Sequence, residues 1–487
     1  MLKQFLSKYR AMAAPAKASL WFLICSFLQK GIAFFTTPIF TRVMTEAEYG
    51  DFSVFNSWLG IFQIILTLNL VADVYMRGLV KNEDDQDRFS SSMLGLTTTC
   101  MVIGWCVYAL FRKQINDMVG MSTLIMTAMF LEIWATSAFY FWSAQERVHY
   151  RYKKLTVLTI AYVFLRPVLG VIFVLLSDTS MQMEARVAST TIVKVAMYTA
   201  LYVIIARKGK TFFHKDYWTY ALKFNLPLLP HYLSQIVLNQ SDRLMIDRFC
   251  GPREAAFYSV AYEMAMVLQI LNYSVQSSMN PWIYKTIKAG REDRIGPVSY
   301  GILLLIAASN IFVVVLAPEI LTILAPGSYQ AALQVIPPVT ASVYFIFLHN
   351  LFATFEYYYE KTHYVMIASV IGAVLNVVLN AIFIPKFGFI AAGYTTLACY
   401  ILYAAAHYVF MQKACRMVGR KGVYSPAYIT AIGAGFLVIV FAMMLFYHMP
   451  VIRYCIVLGL CGLAVLNRRK IFQLLGPIIG RRGSSPK

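Results

Sequence analysis

Charge is scarce in this sequence. Only 14% of its 487 residues are Asp, Glu, Lys or Arg, while 59% are apolar. Soluble domains hold about 25% charged and 45–50% apolar residues. A soluble chain of this size would expose far too much apolar surface. The deficit excludes a soluble enzyme and a disordered protein and leaves a bilayer as the solvent. Acidic charge is the scarcer sign: 23 Asp and Glu against 43 Lys and Arg give a net charge of +20. The basic excess is not gathered into runs that would track nucleic acid. It falls in short segments between apolar stretches, the pattern that orients a membrane protein.

Long polar segments are also missing, and the largest break between apolar stretches is about 20 residues. That leaves no room for a soluble catalytic domain. The eight cysteines form no CxxC pair. Most lie in apolar stretches and read as buried filler rather than a disulfide framework or zinc site. The seven histidines lack HExxH spacing, and no G-x-S-x-G elbow occurs. Gly209-Lys210-Thr211 resembles the end of a P-loop, but Ile204 stands where its first glycine belongs. The expectation is a protein with no catalytic residue, no metal and no cofactor, that is, not an enzyme, and with no nucleic-acid partner.

What is present is a series of apolar stretches. The first, Ser19 to Phe40, follows Lys3, Lys8, Arg10 and Lys17. It is long enough to span and reads as a retained helix rather than a cleaved signal. Met1 to Arg10 reads as a short interfacial helix. Windowed hydropathy predicts about fourteen spans, the second centred near Leu66 and the last and shortest near Leu458. With the N-terminus in the cytoplasm, 31 Lys and Arg fall inside, 8 outside and four within spans. That asymmetry predicts an even number of spans with both termini cytoplasmic.

The segment Ile39 to Phe55, IFTRVMTEAEYGDFSVF, aligns with Met245 to Ala261, MIDRFCGPREAAFYSVA, at an offset of 206 residues. Arg42 matches Arg248, Glu48 matches Glu254 and Ser53-Val54 matches Ser259-Val260. Six spans lie between the copies, so both have one orientation and form a parallel repeat. The predicted domains are an N-terminal six-helix lobe (1–206), a cytoplasmic linker (207–220), a C-terminal six-helix lobe (221–413), and an extra helix pair with a basic tail (414–487). The predicted fold is an all-α integral membrane protein of two pseudo-symmetric six-helix bundles plus that pair, an arrangement suited to alternating access.

Three regions carry a family likeness. Pro38 to Phe55 reads P-x-x-T-R-x-M-T-x-x-E-Y-G in its first part. FNLPLLPHYLSQIVLNQSDRLMID (Phe224 to Asp247) and AFYSVAYEM (Ala256 to Met264) open the second half. NVVLNAIFIPKFGFIAAGYTTLACY runs from Asn376 to Tyr400. Together they resemble the Wzx-type polysaccharide flippases, of the MOP superfamily with the MATE exporters and the lipid II flippase. The resemblance implies a MATE/MOP-like fold in a bacterial inner (cytoplasmic) membrane. It implies export of undecaprenyl-diphosphate-linked oligosaccharide to the outer leaflet. Membrane lipid, and a polysaccharide polymerase or glycosyltransferase, are the partners it suggests. The alternative of the same architecture is a cation-coupled multidrug exporter.

Ionisable groups near the bilayer centre cost about 2.5–3.5 kcal/mol each and are functional candidates by default. Lys30, Glu132, Arg166 and Lys194 all lie mid-span in the first half. Three cations against one carboxylate leave a surplus that suits a diphosphate, so Lys30, Arg166 and Lys194 are the candidate substrate ligands in a cationic cavity. A structural alternative pairs Glu132 with one of the cations. By position, Lys30 also resembles a cavity arginine of the lipid II flippase. Asp242, Arg243, Asp247 and Arg248 cluster on the seventh span, where Arg243 and Asp247 are spaced to pair in cis. Arg42 and Arg243 join the candidate substrate ligands. Glu132, Asp242, Asp247, Arg248 and Glu263 are the gating or ion-coupling candidates. Asn225, Asn239, Asn272 and Asn280 are polar cavity candidates or helix-packing glue. Glu356 to Glu360 reads as an aromatic belt.

Overall fold

A computed structural model describes residues 12–420 and 422–469, with residue 476. The side chains of Ala14 and Lys30 and the predicted interfacial helix at residues 1–10 lie outside the described residues. Regular structure among the described residues is helical throughout, with no strand. A helix satisfies its own backbone polar groups, which an apolar chain in lipid requires.

The chain divides into two units, Met1–Gln240 and Ser241–Lys487. The first holds α1 (Ala14–Val43), α2 (Glu46–Thr67), α3 (Val74–Lys81), α4 (Gln86–Leu110), α5 (Arg112–Val119), α6 (Thr123–Val148), α7 (Tyr152–Leu176), α8 (Gln182–Gly209) and α9 (Lys215–Asn225). Helix α10 (Leu229–Cys250) crosses the division. The second unit continues with α11 (Pro252–Lys288), α12 (Ile295–Val315), α13 (Ala317–Leu324), α14 (Ile336–Tyr358), α15 (Thr362–Phe387), α16 (Ile390–Met417), α17 (Pro426–Met444) and α18 (Pro450–Leu466).

Every predicted span centre falls inside one of the longer helices. Leu66, however, lies at the end of α2 rather than its middle. The hydropathy window slid past the polar start of that helix, which carries Glu46, Glu48, Asp51 and Asn56. Nine helices among the described residues are long and apolar enough to cross a bilayer by composition. Helices α2, α10, α11 and α16 fall short of that measure because each carries polar residues. Many of those groups turn into protein rather than lipid: Ser57, Asp242 and His407 are 0%, 1% and 0% exposed. The outward faces are apolar, as at Phe35, Leu124, Leu176 and Val438. Those exposed side chains need lipid around them.

In the first unit α8 is the hub and packs on α6, α7, α4 and α2, while α1 lies on α7. In the second unit α14 is nearly buried along its length, between α16, α11 and α12. Helices α17 and α18 dock on α12.

The repeat is visible in the local turns. Helix α1 stops at Val43 and α2 starts at Glu46, capped by the Thr45 hydroxyl, which accepts from the Glu48 amide at 3.3 Å. At the same offset α10 stops at Cys250 and α11 starts at Pro252. Gly251 makes that second break with φ of 106°, open to glycine and costly for other residues.

The decoy Gly209-Lys210-Thr211 has a structural use. A Cβ on Gly209 would collide with the Asp87 carbonyl of α4, so glycine lets the end of α8 lie directly on that backbone. Lys210 then turns with φ of 47° and releases the chain toward α9. Helix α9 is amphipathic. Its Trp218 indole donates to the Ser92 carbonyl at 3.0 Å, and its Tyr217 hydroxyl donates to Asp85 at 2.6 Å.

Candidate functional site

The first unit holds a buried charged cluster. Glu132 of α6 is 1% exposed and faces α8, because residues 132, 191 and 194 fall on the contact between those helices. Its Oε2 meets the Lys194 ammonium at 2.5 Å, and its Oε1 accepts from the Thr191 hydroxyl at 3.0 Å. The structural alternative for Lys194 is therefore realised: it is the partner of Glu132. Arg166 of α7 lies within electrostatic range of Glu132 and Tyr198 and within hydrogen-bond reach of Tyr162. Tyr198 stacks on Phe139 with ring centres 4.7 Å apart. One carboxylate thus adjoins two cations, and among the described residues of this cluster one positive charge is left over. Lys30 is a helical residue of α1, the helix that packs on α7.

An uncharged pocket of mixed polar and apolar lining lies in the same unit. It has a volume of about 230 Å³, and its lining includes Gln63, Thr67, Asn69, Thr97, Ser137 and Tyr140. Leu68 and Asn69 beside it both take φ of 50°, a conformation non-glycine residues rarely adopt. Strain of that kind concentrates at functional sites. The Asn225 amide donates to the Leu68 carbonyl, so Asn225 fastens this turn. Asn272 donates to the Val343 carbonyl at 2.9 Å, and Asn280 accepts from Thr354 at 3.0 Å. Those two asparagines join helices in the second unit.

The second unit centres on Asp242, which is 1% exposed. Its Oδ1 accepts from the amides of Asn376 at 3.2 Å and Asn380 at 2.6 Å. Its Oδ2 accepts from Tyr258 at 2.6 Å and Thr396 at 2.7 Å. Four donors from α11, α15 and α16 converge on one carboxylate. Asn376 and Asn380 sit one helical turn apart on α15, and Thr395 donates to the Asn380 oxygen. Arg243, the next residue, points instead at the Tyr262 ring, with its guanidinium carbon 4.3 Å from the centroid. Asp247 and Glu263 are half-buried, and Arg248 is exposed. Arg42 is exposed and donates to the Pro38 carbonyl at 2.7 Å, across the last turn of α1.

Two features escape the sequence reading. Arg186 of α8 is buried between the faces of Phe40 and Phe52, 3.6 Å from each ring centre. It sits near the end of an apolar stretch and gives no sign of its aromatic clamp. Glu356 is the second feature: it is wholly buried and bonded to His407, while the neighbouring Tyr357 is exposed. The belt reading therefore fails for Glu356. A carboxylate at the end of an apolar span, opposite a lone histidine 51 residues on, has no local periodicity to reveal it.

The polysaccharide biosynthesis protein family matches residues 16–287, more than half of the chain. The MatE family matches residues 227–382. No curated protein sequence matches. Among solved structures, the lipid II flippase MurJ in an inward closed conformation superposes with a TM-score of 0.70 at 14% identity, over 92% of this chain and 99% of that one. An inward-facing multidrug resistance MATE transporter of the MOP superfamily gives 0.53 at 10% identity, over 80% of this chain and 98% of its own. A MOP superfamily transporter from Pyrococcus furiosus, described as having a binding pocket of reversed polarity, gives 0.53 at 12% identity, over 84% and 97%. At these identities the likeness establishes the fold. The chain has the helical architecture of the MOP superfamily, is a multi-pass membrane protein, and belongs to the polysaccharide biosynthesis protein family.

Proposed function

We propose that this protein flips undecaprenyl-diphosphate-linked oligosaccharide from the cytoplasmic to the outer leaflet of a bacterial inner membrane, by alternating access. The observation that carries the reading is the surplus positive charge of the first unit. Glu132 is already matched by Lys194, and Arg166 stands beside the pair. A guanidinium binds phosphate oxygens bidentately, whereas a carboxylate-matched lysine has little left to offer. Arg166, supported by Lys30, is the anchor for the diphosphate, and Lys194 is its neighbour through Glu132. The neutral pocket beside Asn69 suits sugar hydroxyls, because its lining donates and accepts hydrogen bonds without charge. The chain carries no nucleotide motif, so an ion gradient, the membrane potential or removal of product outside supplies the drive. Asp242 is the coupling candidate because its shell is built from ligand-type oxygens and amides. A cation-coupled drug exporter is the competing function. It calls for surplus acid where this unit has surplus base.

The test is translocation of a fluorescent undecaprenyl-diphosphate oligosaccharide in proteoliposomes. Wild type should transport it. Arg166→Ala and Lys30→Ala should each lose about tenfold or more in apparent affinity, the worth of one charge-assisted hydrogen bond. Transport unchanged in both variants would remove the cationic site while keeping the function. No transport by wild type across several glycans, with cationic drugs exported instead, would overturn the reading.

A further inference from the structure

A second buried charged cluster lies in the second unit, on helices α14 and α16. The Glu356 Oε1 and the His407 Nδ1 are 2.8 Å apart, with side chains 0% and 1% exposed. The His349 ring lies 5.4 Å from the His407 ring, centre to centre, and His349 is 7% exposed. Residues 349 and 356 are two turns apart on α14, so both imidazoles and the carboxylate share one helix contact. Tyr403 of α16 is wedged against both rings, 4.5 Å from His349 and 4.6 Å from His407.

Buried polar atoms nearly always find hydrogen-bond partners, and three atoms of this cluster find none. Glu356 Oε2, His407 Nε2 and His349 Nδ1 are buried, with no hydrogen-bond partner among the described residues. No group of three His, Cys, Asp or Glu among the described residues is arranged to hold a metal ion. The ligand that fits three open valences and no cage is a proton.

Side chains from several neighbouring helices surround the cluster. Helix α16 contributes Tyr400, on His349 at 6.1 Å between ring centres, and Tyr403. Helix α15 contributes the Ser369 hydroxyl, hydrogen-bonded to Tyr403 at 3.1 Å. Helix α11 contributes Tyr262, within electrostatic range of Tyr400, and Gln276, bonded to Thr354. Helix α12 contributes Ser299, which bonds Tyr424. Tyr424, just before α17, lies on Phe352 and Phe355. Phe436 of α17 lies on Tyr344, and segment 327–334 brings Tyr329 against Phe257 of α11. Among the described residues no lysine or arginine pairs with Glu356; His407 is its ionic partner.

We propose that Glu356, His407 and His349 form a proton-binding site that takes up and releases one proton in each transport cycle. With both imidazoles neutral, the buried cluster carries the one negative charge of Glu356. The neutral His407 donates its Nδ1–H to Glu356, so a proton from water joins its open Nε2, makes the imidazolium and brings the cluster to zero. Its return to water restores the charge. His349 is the relay, placed between His407 and Tyr400. Proton binding stands on the geometry alone; its link to transport rests on the flippase reading above.

Two measurements on the full chain test this. The first is a pH titration of nitrogen-labelled histidines by NMR, with His407 identified by its loss in His407→Gln. Wild type should show an imidazolium at His407, and Glu356→Gln should move its transition to lower pH by about one unit or more. A His407 that titrates identically in wild type and Glu356→Gln, or stays neutral across the pH range in which the protein is folded, overturns the site. The second is proton movement in proteoliposomes with an entrapped pH dye, on addition of lipid-linked oligosaccharide. Wild type should move protons, and Glu356→Gln and His407→Gln should each lose the signal at least tenfold. Variants that move protons as wild type does overturn the coupling. If wild type flips no lipid-linked glycan, the flippase reading fails, and the titration still decides the site.

Discussion

A buried ion pair is defined more by what happens when one partner is removed than by what it adds. Lys194 and Glu132 illustrate this, because the ammonium sits at 2.5 Å from a carboxylate that is itself 1% exposed. Glu132→Gln leaves Lys194 beside Arg166 with no counter-charge. Breaking such a pair costs about 3–5 kcal/mol, whereas replacing both partners by apolar groups is often nearly neutral. Glu132→Gln should therefore lower the thermal unfolding temperature of the detergent-purified protein, and Glu132→Leu with Lys194→Met should recover most of the loss. A single variant as stable as wild type would show that the pair is not a structural element. The charges themselves were legible in the sequence, because a charged residue in an apolar span stands out. Their pairing was not, since Glu132 and Lys194 are 62 residues apart and meet only when α6 and α8 pack.

Helices were legible where lipid surrounds them and less so where protein does. Helix α2 was misplaced toward Leu66 because half of it is polar and faces protein. The last helix was the shortest expected, and α18 does have 17 residues. One contact anchors it. The Arg453 guanidinium of α18 is 4% exposed, donates to the Val315 carbonyl at 3.1 Å and meets Glu319 of α13 at 2.5 Å. Burial pushes the Glu319 carboxyl upward, but the hydrogen bonds from Arg453 and Tyr454 outweigh it and hold the group below its ordinary value. A carboxyl depressed in the folded state contributes stability above its unfolded value, about 4.3. That contribution is lost as pH falls through the lower folded value. Amide hydrogen exchange in α18 should thus speed up in acid, relative to a Glu319→Gln variant in which this pH dependence is absent. Parallel exchange in the two proteins at every pH would sink the anchor.

At the scale of the molecule, the expected fourteen spans with both termini inside would put 31 Lys and Arg on one side and 8 on the other, which predicts a single orientation. Cysteines introduced into segment 83–85, which precedes α4, should react with a membrane-impermeant maleimide only in inside-out vesicles. Cysteines in α5 should react in whole spheroplasts. The reverse pattern would invert the topology and the proposed direction of flipping with it. The fold class, the helical content, the repeat and the family likeness were all determined by the sequence itself. Each depends on local composition or on residues close together in the chain: apolar length sets a span, charge in short loops sets its direction, and a turn motif marks the repeat. Tertiary structure alone decided which buried charges are matched, that four donors close on Asp242, and that Glu356 turns inward to His407. Those outcomes depend on which faces of distant helices meet. Apolar faces pack against many partners with similar energy, so the periodicity of one helix does not name the helix opposite.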